Sequence, residues 1–312
     1  MIRFGFDQFG APDVFRVVDA PQPTPKPGQV QLKVLGFGLN PYDASLRRGE
    51  QAESRPLPMP IVPGTELVGE ITALGAAVQG FALGERVINY RPLGGYSDFV
   101  TASTNKIARI PATLALDVAA GLSQAGIAAF SLLQALSLRP GQTLAVVGAS
   151  GAVGALTVQL ARAAGLRVIA VASAANRAYL QEVGASVALA YDQGTAWHHY
   201  QDTADAAVNA VKDGADNGVA LALTKPTGTL VTTAFAAVPK APKPHVARLQ
   251  LGSHGLVPAQ DAFPTLVKLA EAGQLTLRIA RAFPFSLPGV QAGHIALEQH
   301  HAAGKLVVMK DL

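Results

Sequence analysis

The sequence contains no cysteine, and none of its seven histidines occurs before His198. The absence of cysteine excludes disulfides, thiolate nucleophiles and cysteine metal ligands. A catalytic zinc ion takes protein ligands from Cys, His, Asp and Glu, and the part of the chain before His198 offers only carboxylates. The sequence therefore argues against a zinc-activated alcohol dehydrogenase, and we predict no metal site.

Charge is also sparse, since charged residues make up 15% of the chain and the net charge is +4, with no run of five basic residues. We therefore expect no nucleic-acid partner. The first residues lack the apolar core of a signal peptide. Residues 141–161 carry no charge, but their four glycines favour a buried nucleotide-binding element over a membrane span. We expect a soluble, cytoplasmic protein of about two domains with no membrane partner.

Residues 144–177 follow the pattern of a nucleotide-binding βαβ unit. Leu144–Val147 is an apolar run typical of a strand buried on both faces. A glycine-containing turn follows, and apolar residues then recur at helical spacing until Gly165, which is suited to end a helix. Val168–Ala172 predicts a second buried strand. This order places free N–H groups at a helix N-terminus, where a pyrophosphate binds, and so predicts a dinucleotide cofactor.

The turn from Gly148 to Gly154 departs from the G-x-G-x-x-G fingerprint at one position, because Ala149 occupies the place of the first glycine when the two are aligned on Gly154. Gly151 allows the backbone to approach the phosphates, and Gly154 allows the helix to pack on the strand. We expect the phosphates to be bound by Ser150, Gly151, Ala152 and Val153.

The segment after the second strand bears on the choice of cofactor. NAD sites place an acid about 20 residues past the glycines, to bind the ribose 2′-hydroxyl, and residues 172–177 contain none. Ser173 and Asn176 can donate to a 2′-phosphate, and Arg177 can pair with it. We predict a preference for NADPH over NADH. The alternative is that Arg177 is a solvated residue that opens the next helix.

The first 110 residues predict a β-rich domain, because short runs of β-branched and aromatic residues alternate with glycine and proline. The runs are Ile2–Phe6, Phe15–Val18, Val30–Val34, Leu67–Ile71, Arg86–Tyr90 and Tyr96–Val100. Ala119–Leu138 predicts a helix. From about Asp261, a helix, a strand at Phe283–Phe285, a helix and a strand at Lys305–Met309 are expected to complete this first domain.

Beyond Val168 the predicted strands alternate with helices, which indicates an α/β fold with a Rossmann doubly wound parallel sheet. The later strands are Val187–Ala190, Ala206–Val211, Leu230–Phe235 after a turn at Lys225–Gly228, and Val246–Leu251. The interval between Asp192 and Asp205 leaves little room for a full crossover helix, so we expect a shortened one. We place a Rossmann domain at 119–256 and the β-rich domain at 1–118 and 257–312.

The segment Asn40–Gly49 has two interpretations. As a helix, it has Asn40 as its cap, Pro41 at the first position, Asp43 in the first turn and Gly49 at the end. As a site, its start faces the nicotinamide, with Asn40 holding the carboxamide or the substrate carbonyl and Tyr42 lining the pocket. Asn40 and Tyr42 are the candidate catalytic residues, and aromatic side chains pack more often than they catalyse.

The histidines near the end of the chain resemble metal ligands by type, because His294, Glu298 and His301 share a predicted helix face. No second cluster accompanies them or His198 and His199, so surface or packing roles are favoured. A G-x-S-x-G elbow is also absent from the sequence, and an α/β-hydrolase is therefore not supported.

A series of short motifs, met in a fixed order, gives the chain a family resemblance. The motifs are Asn40–Asp43, Pro63–Glu66 with Val68 and Gly69, Gly84–Val87, Gly94–Val100, Ala149–Gly154 and Gly304–Val307. Together they resemble the zinc-independent quinone oxidoreductase (zeta-crystallin-like) branch of the medium-chain dehydrogenase/reductase superfamily. Where zinc-dependent relatives have cysteine and histidine, this chain has Asn40 and Thr65.

The resemblance implies a GroES-like catalytic domain, a Rossmann domain and a possible homodimer. It implies that Arg177 and Tyr191 meet the 2′-phosphate, and it adds Asn40, Ala128, Phe235 and Lys305 to the cofactor-binding residues. Ala128 departs from the family pattern, which has threonine there, so a contact to the nicotinamide is lost or replaced.

We therefore expect an NADPH-dependent, zinc-free reductase of quinones or α,β-unsaturated carbonyls. Such activated substrates need little acid catalysis beyond a donor to the carbonyl oxygen, supplied by Asn40, Tyr42 or water. Two alternatives remain open. One is metal-free reduction of other electrophiles, such as nitroarenes or aldehydes, and the other is a non-catalytic NADPH-binding sensor or structural protein.

Overall fold

The computed structural model describes residues 1–92, 94–194, 196–233, 243, 245–250, 255–299 and 303–310. The strands are β1 (Ile2–Gly5), β2 (Arg16–Asp19), β3 (Gln29–Gly38), β4 (Glu66–Leu74), β5 (Arg86–Tyr90), β6 (Phe99–Ser103), β7 (Ile107–Arg109), β8 (Thr143–Val147), β9 (Arg167–Ala172), β10 (Val187–Ala190), β11 (Ala204–Asn209), β12 (Thr224–Thr232), β13 (Ala247–Gln250), β14 (Ile279–Pro284) and β15 (Lys305–Met309). The α-helices are α1 (Pro41–Arg47), α2 (Leu116–Leu136), α3 (Ala152–Ala163), α4 (Arg177–Glu182), α5 (Val219–Leu223), α6 (Ala259–Glu271) and α7 (Leu287–Glu298).

The chain divides into two compact units. The first comprises Met1–Gln124, Ala259–Glu271 and Leu277–Leu312, and the second comprises Ala125–Pro258 and Ala272–Thr276. The division falls inside α2, after Gln124. In the predicted scheme the boundary lies at residue 118.

The first unit is built on a largely antiparallel sheet with the strand order β14-β15-β3-β4-β5-β7, in which β6 also pairs with β3. The parallel pair β14 and β15 extends this sheet because β15 runs antiparallel to β3. Alternate residues of β3 and β4 face a core rich in aromatic rings, which includes Phe6, Phe37 and Tyr96. α1 and α7 pack on each other at this core.

The second unit is a parallel six-stranded sheet with the order β10-β9-β8-β11-β12-β13. The first strand, β8, therefore lies in the middle, with the next two strands on one side and the later three on the other. This is the order of the doubly wound Rossmann sheet, whose ligands bind where the order reverses, here between β8 and β11. The predicted α/β fold class is confirmed.

Strands with strong local patterns form where the sequence predicts them, and β5, β10 and β15 have the predicted bounds. The crossover between β10 and β11 is shortened to a 3-10 helix at Ala196–Tyr200, as expected. The structure corrects several predictions. The sixth strand begins at Phe99 rather than Tyr96, and the expected turn at Lys225–Gly228 lies within β12, where the ladder to β11 shifts register. The strand predicted at Phe283–Phe285 is Ile279–Pro284, and the helix predicted at Ala119–Leu138 is Leu116–Leu136. Leu251 and residues 234 and 235 lie outside the described residues.

One helix of the described residues, α2, is long and apolar enough to cross a membrane by length and composition alone. Within the fold, 61% of that apolar window is buried. The uncharged segment 141–161 forms β8 and most of α3, whose residues are largely buried, as the sequence predicts.

Arg47, at the end of α1, is fully buried and forms an ion pair with Glu298 of α7. Its Nε and Nη1 atoms have no hydrogen-bond partner within the described part of the chain, so Glu298 provides its main compensation. Glu298 also accepts a hydrogen bond of 2.8 Å from Arg48. The ion pair between Arg47 and Glu298 thus connects α1 with α7.

We expect Glu298→Ala to lower the free energy of unfolding by about 2 to 3 kcal/mol, because a buried guanidinium would lose its carboxylate. The control is Glu50→Ala, which removes the exposed partner of Arg48 and is expected to cost at most about 1 kcal/mol. Denaturant unfolding of both variants measures the difference. Equal losses would show that the buried pair does not hold the helices together.

Candidate functional site

The turn between β8 and α3 lies where the strand order of the second unit reverses. Gly148 has a φ of +80°, and a Cβ there would lie 2.9 Å from the carbonyl carbon of Ala210, which follows β11. Gly148 therefore makes the tight turn. The G-x-G-x-x-G fingerprint, aligned on Gly154, assigns this role to the position of Ala149. Because Gly148 makes the turn, alanine at position 149 leaves the turn intact.

Gly151 and Gly154 are required for different reasons. A Cβ on Gly154 would overlap the carbonyl oxygen of Gly148, so this glycine lets α3 pack against the turn. A Cβ on Gly151 would meet only that same oxygen, at 3.5 Å, and would otherwise point into open space. Helix α3 begins directly after Gly151. The first N–H groups of a helix have no acceptor within the helix. The turn is thus a cradle that a Cβ on Gly151 would fill, and it fits a pyrophosphate.

The residues predicted to bind a 2′-phosphate lie together at the carboxyl ends of β9 and β10. Ala172 and Ala190 are partners in the ladder, and Tyr191 N–H donates to the carbonyl oxygen of Ala172 over 3.1 Å. Asn176 Nδ2 donates to Ser173 Oγ at 2.8 Å, and Arg177 opens α4. Tyr191 is 57% exposed, so its ring is open to a ligand.

Asp192 is a residue of this region that the sequence reasoning missed. Its Oδ1 accepts a hydrogen bond of 2.8 Å from Ala174 N–H, directly after β9. Residues 172–177 do not contain it, because it comes from the segment that follows the neighbouring strand β10. The pairing of β9 with β10 brings a carboxylate to the region where the predicted 2′-phosphate residues lie.

The candidate catalytic residue Asn40 lies in the first unit, where its side chain is fully engaged. Asn40 Nδ2 donates to Thr65 Oγ1 at 3.1 Å and to Glu66 Oε1 at 3.0 Å, and Asn40 Oδ1 accepts from Lys305 Nζ at 2.6 Å. Asn40 stands at the N-cap position of α1, as predicted, and Asp43 in the first turn of the helix accepts from its backbone N–H at 3.0 Å. The Asn40 amide orients a polar cluster.

Glu66 and Lys305 form a buried ion pair in that cluster, with Nζ 2.6 Å from Oε1 and side-chain exposures of 0% and 5%. The second oxygen of Glu66 accepts from Gln124 N–H at 2.8 Å. Gly38 and Gly121 leave space for the pair, because a Cβ at Gly121 would lie 2.5 Å from Lys305 Cγ. Glu66 belongs to the motif Pro63–Glu66, but the sequence did not predict that it lies at the centre of the cluster.

The other predicted residues have separate surroundings. The Tyr42 hydroxyl accepts a hydrogen bond of 2.7 Å from Arg55 Nη1, and the ring is half-buried. Ala128 lies half-buried on α2 in the second unit. Phe235 lies outside the described residues. The roles assigned to these side chains stay predictions.

His294 is buried and packs against the ring of Phe15, with the ring centroids 4.7 Å apart. This agrees with the packing role predicted for it. His300 and His301 lie outside the described residues, and the residues that the structure does describe contain no group of three or more metal-binding side chains.

Two family models match parts of the chain. The alcohol dehydrogenase GroES-like domain matches residues 26–112, and the zinc-binding dehydrogenase family matches residues 152–270. The quinone oxidoreductase of Mus musculus is 38% identical over 171 residues, which are 53% of this chain and 50% of the mouse protein. The matched region thus spans half the length of this curated relative.

Solved structures match over the whole chain. The quinone oxidoreductase of Coxiella burnetii is 28% identical with a TM-score of 0.84, covering 99% of both chains. A mycobacterial protein solved in complex with NADPH is 25% identical with a TM-score of 0.82, covering 99% of this chain and 100% of its own. The chain therefore resembles an alcohol dehydrogenase GroES-like domain followed by a zinc-binding dehydrogenase domain, and it is similar to quinone oxidoreductases in sequence and structure.

The two glycines give a matched test of the cradle. We expect Gly154→Ala to lower thermal stability, because its methyl group would overlap the Gly148 carbonyl. Gly151→Ala has an alanine-compatible backbone, with φ −76° and ψ 167°, so it should keep the wild-type stability. It should nevertheless weaken the binding of a dinucleotide, measured by calorimetry. Full dinucleotide affinity in Gly151→Ala would count against the cradle.

Proposed function

We propose that this protein is an NADPH-dependent, zinc-free oxidoreductase that reduces quinones or α,β-unsaturated carbonyls by hydride transfer. The observation that carries the proposal is the open cradle at Gly151, at the start of α3 and at the reversal point of a Rossmann sheet. The names of the quinone oxidoreductase relatives and the NADPH complex of the mycobacterial protein support it.

The nucleotide end of the cofactor is proposed to bind in the second unit. The N–H groups of Ala152 and Val153 would hold the pyrophosphate, with Ser150 and Gly151 beside them. Ser173, Asn176, Arg177 and Tyr191 would surround the 2′-phosphate. When bound, NADPH supplies the hydride, and the protein contributes binding and orientation.

The polar cluster of the first unit is proposed to orient the reacting groups. The Asn40 amide is held on one side by Glu66 and Thr65 and on the other by Lys305, so it cannot rotate without breaking several hydrogen bonds. Both of its N–H groups are donated inside the cluster, so the amide would orient Glu66 and Lys305 and would not itself donate to a substrate carbonyl. Tyr42, whose hydroxyl accepts from Arg55 and keeps its own proton, is the candidate donor. Quinones and enones are already electrophilic, which suits a site without a dedicated acid.

The proposed reaction is tested with the purified protein, NADPH and a panel that includes a quinone, an enone, a nitroarene and an aldehyde, followed by the loss of absorbance of the reduced nicotinamide. We expect turnover with the quinone or the enone. It should persist after treatment with a chelator, since the proposal contains no metal. Saturable NADPH binding without turnover on any of these substrates would favour the non-catalytic alternative that the Ala128 departure suggests.

The choice of cofactor is tested by two substitutions at the ends of β9 and β10. Arg177→Ala should lower kcat/KM for NADPH about tenfold, because it removes a charged partner of the 2′-phosphate, and should change NADH little. Asp192→Asn should raise the NADPH to NADH ratio of kcat/KM, because it removes a negative charge from the same region. A higher kcat/KM with NADH in the wild type would contradict the preference for NADPH.

A further inference from the structure

The buried carboxylate of Asp43 joins the two segments that carry the polar cluster. Its Oδ2 accepts from Asn40 N–H at 3.0 Å, and its Oδ1 accepts from Gly64 N–H at 3.2 Å. Asn40 precedes α1, and Gly64 precedes Thr65 and Glu66. The backbone on both sides of the Asn40 side-chain network is therefore attached to a single carboxylate, which is itself fully buried.

Two further polar side chains continue from Asp43 into the core. Tyr96 Oη lies 3.3 Å from Asp43 Oδ2 and 3.2 Å from His294 Nε2, and both Tyr96 and His294 are fully buried. Tyr96 stacks on Phe37 with the ring centroids 4.2 Å apart. The packed rings hold this row of three groups in place, so its geometry is a fixed property of the fold.

The hydrogen-bonding capacity of the three groups indicates where the protons lie. Burial, together with Arg47 and Arg48, lowers the pKa of His294 to about 3, so its ring is neutral near pH 7. Its Nδ1 has no hydrogen-bond partner among the described residues, and an unpaired lone pair is more easily accommodated there than an unpaired N–H. The proton is then on Nε2, and His294 donates to Tyr96, which donates to Asp43.

Burial of Asp43 and the groups around it set the pKa of its carboxyl. Burial raises the pKa of Asp43 to about 7, opposed by its two backbone donors and by Lys305 of β15, and reinforced by Glu66 of β4. Tyr96 and His294 face it without charge, and Arg47 lies further along α1. A carboxylate that accepts three hydrogen bonds holds its donors more firmly than the neutral acid does.

We propose that Asp43 is a positioning residue, whose ionised carboxylate fixes Asn40 against Thr65 and Glu66 while Tyr96 and His294 stabilise that ionised form. The inference rests on the proposed function, because the polar cluster is the site that Asp43 positions. Asp43 itself touches neither cofactor nor substrate in this scheme.

The test measures kcat against pH with NADPH and a quinone, at saturation, for the wild type, Asp43→Asn and Tyr96→Phe. We expect kcat of the wild type to fall on the acid side of neutrality. Asp43→Asn should lose this pH dependence and have a kcat about tenfold lower, with KM for NADPH little changed, because the orientation of Asn40 is disturbed. Tyr96→Phe should move the fall in kcat to higher pH, because the carboxylate loses a donor.

The matched control is Tyr179→Phe, a buried tyrosine of α4 in the second unit, which should leave the profile unchanged. Circular dichroism checks that each variant is folded. An Asp43→Asn profile with the shape of the wild type, or a shift in Tyr179→Phe equal to that in Tyr96→Phe, would overturn the proposal.

If the protein turns over no substrate, that result contradicts only the proposed function. Two other measurements still test the role of Asp43. A carboxyl with a raised pKa contributes stability that is fully present below its ordinary pKa of about 4 and is lost as the pH rises through about 7. The unfolding free energy of the wild type relative to Asp43→Asn should therefore fall over this interval. The amide proton of Asn40 should shift over the same interval in NMR spectra. If neither quantity changes with pH, the inference is wrong.

Discussion

The buried ion pair between Lys305 and Glu66 is the constraint on which the polar cluster of the first unit depends. Two opposite charges removed from water are tolerated only when each is surrounded by further hydrogen bonds. The Asn40 side chain bonds to both members of the pair, and the backbone N–H of Gln124 satisfies the remaining oxygen of Glu66. Gly38 and Gly121 are glycines because the pair occupies the space of their side chains. Residues on β3, β4, α2 and β15, together with the residue before α1, thus meet in one interaction.

Much of the fold could be predicted because its signals are local. The β8–α3–β9 unit combines apolar runs, glycines and helical spacing within about 30 residues. Tyr96 shows where this reasoning fails. Its aromatic ring favours a strand locally, but its position is decided by Asp43 and His294, which are 53 and 198 residues away in the sequence. The register shift in β12 likewise depends on its pairing with β11, which no local pattern contains.

The residues of the candidate site could be predicted from the sequence where they follow a local pattern. Ser173, Asn176 and Arg177 were placed together because they follow one predicted strand, and Tyr191 was added by the family resemblance. Asp192 was missed because its contact with Ala174 needs the register of the pairing between β9 and β10, and not only its existence. For Asn40, the sequence predicted the residue and its place at the start of a helix. It could not predict the hydrogen bonds of the amide to Glu66 and Lys305, which are distant in the sequence.

The position of β15 between β14 and β3 has a consequence for how the chain acquires its structure during synthesis. The sheet of the first unit lacks an interior strand until residues 305–309 have left the ribosome, so the end of β3 at Gly36, Phe37 and Gly38 keeps one side of its backbone unpaired while about 260 further residues are made. The second unit draws almost all of its residues from the continuous stretch 125–258. The second unit can therefore fold before the first unit, which carries Asn40, has its last strand.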